Sequence, residues 1–172
     1  IKAGDYAVSR PFMIATKGDL SPAAQDFVDY ILSENGQAVV EESGYISQGN
    51  TGPYAPSNLS GKIVVADSSS VTPVMEKLRE AYLALNPEMV VEVQQSDSTT
   101  GMTATMEGIC DIGMASRNIR ESELEKGISG TTIAIDGIEV IVNKENPVET
   151  LTMDQVQEVF TGRLQQWTDL SA

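Results

Sequence analysis

Short apolar runs and stretches of helical period alternate along this chain. "KIVVA" (62–66), "MVVEV" (89–93) and "DIGMA" (111–115) are each bounded by polar or turn-forming residues, which predicts short buried strands. Between the first two, Val71, Met75, Leu78, Tyr82 and Leu85 recur on one helical face, and the run stops before Pro87. "QSDSTTG" (95–101) then leads into a helix-like run, "MTATMEG", opened by Gly101. Nearer the start, "YAVSRPFMIAT" (6–16) reads as a strand, with Pro11 marking an edge strand or a late beginning. "SPAAQDFVDYILSEN" follows as a helix, with Ser21 as N-cap, Pro22 in the first turn and Ala24, Phe27, Val28, Ile31 and Leu32 on one face. Gly36 interrupts it, and "QAVVEESGY" predicts a second short helix closed by Gly44. Residues 131–143, "TTIAIDGIEVIVN", are broken by Asp136-Gly137 and form either a hairpin or a strand that bends. Thr152 and Gln155 have capping-box spacing at the head of a last helix, "MDQVQEVFTG".

One stretch has no period. Residues 47–60, "SQGNTGPYAPSNLS", are rich in Gly, Pro, Ser and Asn and read as a linker. After it, strands and helices alternate, which predicts an α/β fold: a mainly parallel sheet with helices on both faces. Ligands of such sheets bind beyond the carboxyl ends of the strands. "DSSSVT", "QSDSTTG" and "SRN" stand at those ends after the three short strands. Each alone is either a solvated turn with a helix cap or part of a small-anion site. Three hydroxyl-rich turns at equivalent ends, two of them opening helices, favour the anion site.

Composition narrows the chemistry further. The 172 residues suffice for one sizeable core, and 25 acidic against 11 basic side chains give a formal charge of −14. That balance argues against a nucleic-acid partner, which requires a basic footprint, but not against a small anion held by local dipoles. Histidine is absent, which removes the usual general base and zinc ligand. The single cysteine, Cys110, lies beside an apolar run and reads as a small buried residue, not a nucleophile. Neither a catalytic constellation nor a metal or cofactor site is expected. No window has the apolar length of a membrane helix, and no signal peptide is visible. The chain begins at Ile1 without a methionine, which suggests a processed product or an excised segment.

From Gly61 onward, "GKIVVADSSSVTPVMEKLREAY", "VEVQQSDSTTGMTATMEGICDIGMASRNI", "IAIDGIEVIVNKENPVETLT" and "VFTGRLQQWTDL" resemble, in order and spacing, the phosphate-binding proteins of bacterial ABC importers. These have the type II periplasmic-binding-protein fold. Residues 1–46 resemble the carboxyl-terminal portion of the same family, here placed ahead of the amino-terminal portion. The chain thus reads as a tail (1–46), a linker (47–60) and a head (61–172), together one lobe. It is either a fragment across the junction of two tandem units, the favoured reading, or a circular permutant.

The resemblance implies extracytoplasmic binding of inorganic phosphate for uptake through the membrane permease of an ABC importer. Sulfate, molybdate or a protein-interaction role on the same scaffold are the alternatives. By the family's motifs, Ser69 and Ser70 match the first anion-contacting loop, Ser98 with Thr99 the next helix start, and Ser116 and Arg117 the loop after the third strand. Helix capping is the lesser alternative for the same serines, while Arg117 equally suits a surface pair with Glu121 or Glu123. Asp67 and Asp97 stand where relatives often have glycine, and turned inward they would repel an anion. Serine at 116 replaces an aspartate that some members use as a proton acceptor. Asp136-Gly137 resembles the crossing from one lobe to the other, or is an ordinary turn. Trp167, Tyr82 and Phe160 are expected to be packing residues. The family's second lobe closes over phosphate with an arginine and a Gly-Ser-Gly-Thr helix start, and no such segment occurs in these 172 residues.

Overall fold

The computed structural model describes residues 8–66, 68–94 and 98–170, with Ser98 described by its backbone alone. It divides into two compact units, Ile1–Gly137 and Ile138–Ala172. The single lobe expected over 1–172 therefore meets a boundary after Gly137, and each unit is described by itself.

The first unit is built on a five-stranded sheet of order β3-β2-β4-β1-β5. Its strands are β1 (Ser9–Lys17), β2 (Gly61–Ala66), β3 (Met89–Gln94), β4 (Ile112–Ala115) and β5 (Ile128–Gly137). β2 pairs in parallel with β3 and β4, while β1 runs antiparallel to both β4 and β5. Four strands thus point one way and β1 alone is reversed. The tail segment lies in the same sheet as the head, between β4 and β5.

Pro11 is not on an edge strand, and the ladder explains why it is tolerated. Pro11 stands opposite Ile135, whose own N–H and C=O are both taken by Ile46 on the far side of β5. The backbone of Pro11 therefore points away from β5. On that other side β4 pairs only with Met13–Ala15, so no ladder bond is lost to the missing donor.

Helices cover both faces of this sheet. α1 (Pro22–Leu32), α2 (Glu34–Glu42) and α3 (Thr72–Leu85) pack on one face, where Phe12, Ile14, Ile63, Val65, Ile112, Met114 and Ile133 meet Phe27, Tyr30, Val74 and Leu78. α4 (Ser98–Glu107) covers the other, where Ala15, Ala115 and Ile128 meet Met102. The alternation along β4 shows the consequence: Ile112 and Met114 fill the three-helix side, while Gly113 lets α4 approach. A Cβ on Gly113 would stand 2.2 Å from Thr105 Oγ1 and 3.3 Å from the carbonyl oxygen of Gly101. Gly101 does not open the helix, as its position had suggested. It lies within α4, on the side that meets β4.

The break between the first two helices falls at Ser33 and not at Gly36. Ser33 Oγ donates to Tyr30 O and accepts from Gly36 N, so one hydroxyl closes α1 and caps α2. Gly36 is in the first turn of α2, where a Cβ would lie 2.2 Å from Tyr30 O. Gly44 closes α2 with a φ of +86°, as expected of a residue past a helix end.

Residues 47–60 form no regular element, yet they are tied down. Thr51 N and Glu34 N bond to Leu32 O and Gly52 O respectively, and Tyr54 N bonds to Asn35 Oδ1. Tyr54 OH and Tyr82 OH both donate to Asp26 Oδ2, at 2.8 and 2.6 Å, and Asn86 Nδ2 donates to Tyr54 OH. Tyr54 also meets Tyr30 edge to face at 5.1 Å. The segment is a strap across the first unit and not a loose spacer.

In the second unit, the capping box of Thr152 and Gln155 opens α6 (Met153–Phe160), as the spacing predicts. No described residue of this unit is buried. Phe160 is 77% exposed and Trp167 40% exposed, so neither packs as expected, whereas Tyr82 is fully buried in the first unit. Leu85, expected on the buried face of α3, is 42% exposed at its last turn.

Candidate functional site

β3, β2 and β4 are neighbours in the sheet and parallel, so the segments following them emerge side by side along one edge. Ala66 is level with Gln94 on one side and Gly113 on the other. With adjacent strands about 4.8 Å apart, the outer two of these three exits are roughly 10 Å apart, the scale of a small hydrated anion and its donors. The ends of the three strands that precede the hydroxyl turns therefore share one edge, with residues 95–97 of the second turn outside the described residues.

The middle exit leads into α3. Its N-cap is Val71, with no side-chain cap, and Ser68 O accepts from Val71 N and Thr72 N at 2.8 and 2.9 Å. Neither Ser69 nor Ser70 is used to cap this helix, as the plainer reading had supposed. Ser69 is exposed and Ser70 partly exposed in the turn just ahead of the helix start. Ser68, unmarked in the sequence as a candidate, is buried at 2% exposure. The β3 exit leads into α4, which begins at Ser98, with Thr99 and Thr100 exposed in its first turn. A ten-residue helix starting at this edge brings its positive dipole end there. Asp67 and Asp97 lie outside the described residues.

The β4 exit carries Ser116 and Arg117, both partly exposed. Arg117 is engaged: Nη1 donates to Glu123 Oε2 at 2.9 Å and Nη2 to Glu123 Oε1 at 2.7 Å. Of the two surface partners anticipated, Glu123 is the one used. It also accepts from Arg120 N at 2.8 Å, at the head of the one-turn helix α5 (Glu121–Leu124). The guanidinium, with the Arg120 amide assisting, holds the Glu123 carboxyl below its ordinary range, and the carboxylate pushes Arg117 up in return.

At the opposite end of the sheet, Cys110 is buried, 3.4 Å from Thr105 Oγ1, and burial raises its thiol pKa. That is the environment of an inert core thiol. Among the described residues no cluster of three or more Cys, Asp and Glu could hold a metal, and no helix is long and apolar enough to cross a membrane.

Residues 52–172 match a family model described as a PBP superfamily domain, PBP_like_2. The chain is 54% identical over 172 residues to the phosphate-binding protein PstS 2 of Streptococcus agalactiae, covering 99% of this chain and 59% of that one. It is 40% identical over 165 residues to PstS 2 of Streptococcus pneumoniae, covering 95% and 56%. A crystal structure of a phosphate-binding protein of a phosphate ABC transporter from S. pneumoniae superposes with a TM-score of 0.94 at 38% identity, over 99% of this chain and 66% of that one. A structure with bound phosphate from Clostridium perfringens, of a candidate phosphate ABC transporter substrate-binding protein, gives 0.53 at 38% identity, over 64% and 45%. This chain spans about three-fifths of the length of these two curated relatives. It belongs to the PBP superfamily.

Proposed function

We propose that the protein containing this chain binds inorganic phosphate outside the cytoplasm and presents it to the membrane permease of an ABC importer, this chain supplying one lobe of the site. The observation that carries the reading is the alignment of three hydroxyl-bearing exits on adjacent parallel strands, in a chain 54% identical to a phosphate-binding protein. A tetrahedral oxyanion is held by many fixed donors, and helix starts and serine hydroxyls supply them without a metal or cofactor. The proposed donors are the hydroxyl and backbone N–H groups of Ser69 and Ser70, Ser98 with Thr99, and Ser116. No catalytic residue is assigned. Calorimetry of the full-length protein against phosphate, sulfate and molybdate tests the reading. Heat with phosphate, reduced by Ser98→Ala by about one charged hydrogen bond (roughly 1.5–3 kcal/mol), is expected. Silence towards all three anions would favour an interaction module on the same scaffold.

The order of segments is proposed to be that of a circular permutant. Both segments align in the same order with relatives of which they make up three-fifths. A tandem protein would need, beyond this chain, another head, another tail and two middle segments, which is more than this chain's own length. The remaining two-fifths has room for one second lobe. The single-lobe reading of 1–172 is kept for the first unit, and Gly137 is proposed as the point where the chain leaves it.

A further inference from the structure

Glu123 is the one buried charged residue among the described residues, at 6% exposure, and it lies on a helix of a single turn. A surface turn has no need to bury an acid. Its two oxygens receive both terminal nitrogens of Arg117 and the amide of Arg120, so the carboxylate gathers the loop 116–120 around itself. Arg117 Nη1 also donates to Asn118 O at 3.0 Å, inside the same loop. A second hold comes from packing: Ile119 fills the space above Gly130, where a Cβ would stand 2.4 Å from Ile119 Cγ1. The loop is thus pinned at the exit of β4, beside the exit that carries Ser69 and Ser70.

Resting on the phosphate reading above, we infer that Arg117 and Glu123 act together as positioning residues for the oxyanion site, and that Arg117 is not itself an oxyanion donor. The physical ground is the cost of the alternative. For Arg117 to turn to an anion it would release a buried carboxylate that keeps only the Arg120 amide and no opposite charge, and breaking such a pair costs more than the pair contributes. While the pair stands, Glu123 cancels the guanidinium charge that would attract an anion. What the pair delivers is a fixed backbone from Ser116 to Arg120.

The two roles predict opposite signs for one substitution. In the full-length protein, Glu123→Gln keeps the side-chain shape but removes the charge that engages Arg117. If Arg117 positions the loop, Glu123→Gln and Arg117→Ala should each weaken phosphate binding by about five- to tenfold, the scale of one misplaced hydrogen bond. The double variant Arg117→Ala/Glu123→Ala should be no weaker than about twofold beyond either single, because the two act as one unit. Arg117→Lys, which keeps the charge but not the two-pronged geometry, should fall with Arg117→Ala. Tighter binding by Glu123→Gln, near-normal binding by Arg117→Lys, additive losses, or no change in any variant would overturn the inference while leaving the phosphate reading intact. Circular dichroism establishes that each variant is folded, and if Arg117→Ala is not, Glu123→Gln and Arg117→Lys decide the question. No heat from the wild-type protein would overturn the phosphate reading, and this inference with it.

Discussion

A methyl group added at Gly113 has nowhere to go. Its carbon would lie 2.2 Å from Thr105 Oγ1 and 2.9 Å from Met102 Cε, and Thr105 is itself held by its bond to Gly101 O. Gly113→Ala must therefore push α4 off the sheet or distort β4. The expected cost is roughly 1–3 kcal/mol, read as a lower urea midpoint at unchanged slope. Glu123 gives a second residue-scale prediction, in pH. Its folded pKa is depressed by the bonds from Arg117 and Arg120, so its contribution to stability is fully present above the unfolded carboxyl range near pH 4.3. It is lost as pH falls through the lower folded value. Stability against urea should therefore drop more steeply below about pH 4.3 for the wild type than for Glu123→Gln, with the two curves converging at the acid end. A parallel offset across the whole range would contradict this. None of this was legible in the sequence beyond the pairing of Arg117 with one of two nearby acids, because the approach of Thr105 to Gly113 and of Ile119 to Gly130 exists only once the sheet and its helices are assembled.

At the scale of elements, the strap 47–60 behaves unlike its composition. Gly, Pro, Ser and Asn predict loose chain, and the segment indeed has no ladder or helix, but one aromatic residue changes its role. Tyr54 reaches Asp26 on α1, Asn86 after α3 and the rings of Tyr30 and Tyr82, and so joins the tail segment to the head. Tyr54→Phe keeps the rings and removes one hydroxyl from this network, with an expected cost of about 1–2 kcal/mol. Tyr54→Ala should cost more and expose 47–60 to limited proteolysis. Protection of that segment in Tyr54→Ala equal to wild type would show that the tyrosine does not hold it. The same scale shows why some elements were readable and others not. Ser21, Thr152 and Gln155 announce helix starts because capping is a local interaction. The short apolar strands announce themselves as apolar runs, although β4 is buried along its whole length and β3 on one face only, with Val90 exposed. The break at Ser33 was misplaced to Gly36 because a glycine required by close packing on Tyr30 O looks, in sequence, like a glycine that stops a helix. The internal position of β1 was hidden because Pro11 is excused only by the early end of β4 and the bridge from Ile46.

Across the whole molecule, the two units differ in how much they bury. The first has a continuous core on one face of its sheet and a smaller one on the other, while no described residue of 138–170 is buried and Ile141 and Phe160 are 87% and 77% exposed. Apolar surface of that kind is normally covered by a further part of the protein or by a partner. Relatives longer than this chain by about two-fifths of their length have the material for it. An apolar-surface dye should therefore bind this chain more strongly than the full-length protein, and equal signals would contradict that expectation. The same incompleteness governs the ligand. An oxygen leaving water must recover its hydrogen bonds, so tight binding of an anion as small as phosphate needs donors on nearly every side. On the proposed phosphate reading, the edge formed by the exits of β3, β2 and β4 would supply donors to one side only, with bulk water on the other. Losing three charge-assisted bonds at roughly 1.5–3 kcal/mol each corresponds to about three to six decades in affinity. The formal charge of −14 further disfavours the approach of an anion at low salt, an effect that screening reduces at physiological ionic strength. Calorimetry of this chain alone, as a monomer, should therefore show no heat at micromolar phosphate, while the full-length protein does. A micromolar or tighter dissociation constant from the isolated chain would mean that the exits of β3, β2 and β4 already enclose the anion, and that a second lobe is not needed to hold it.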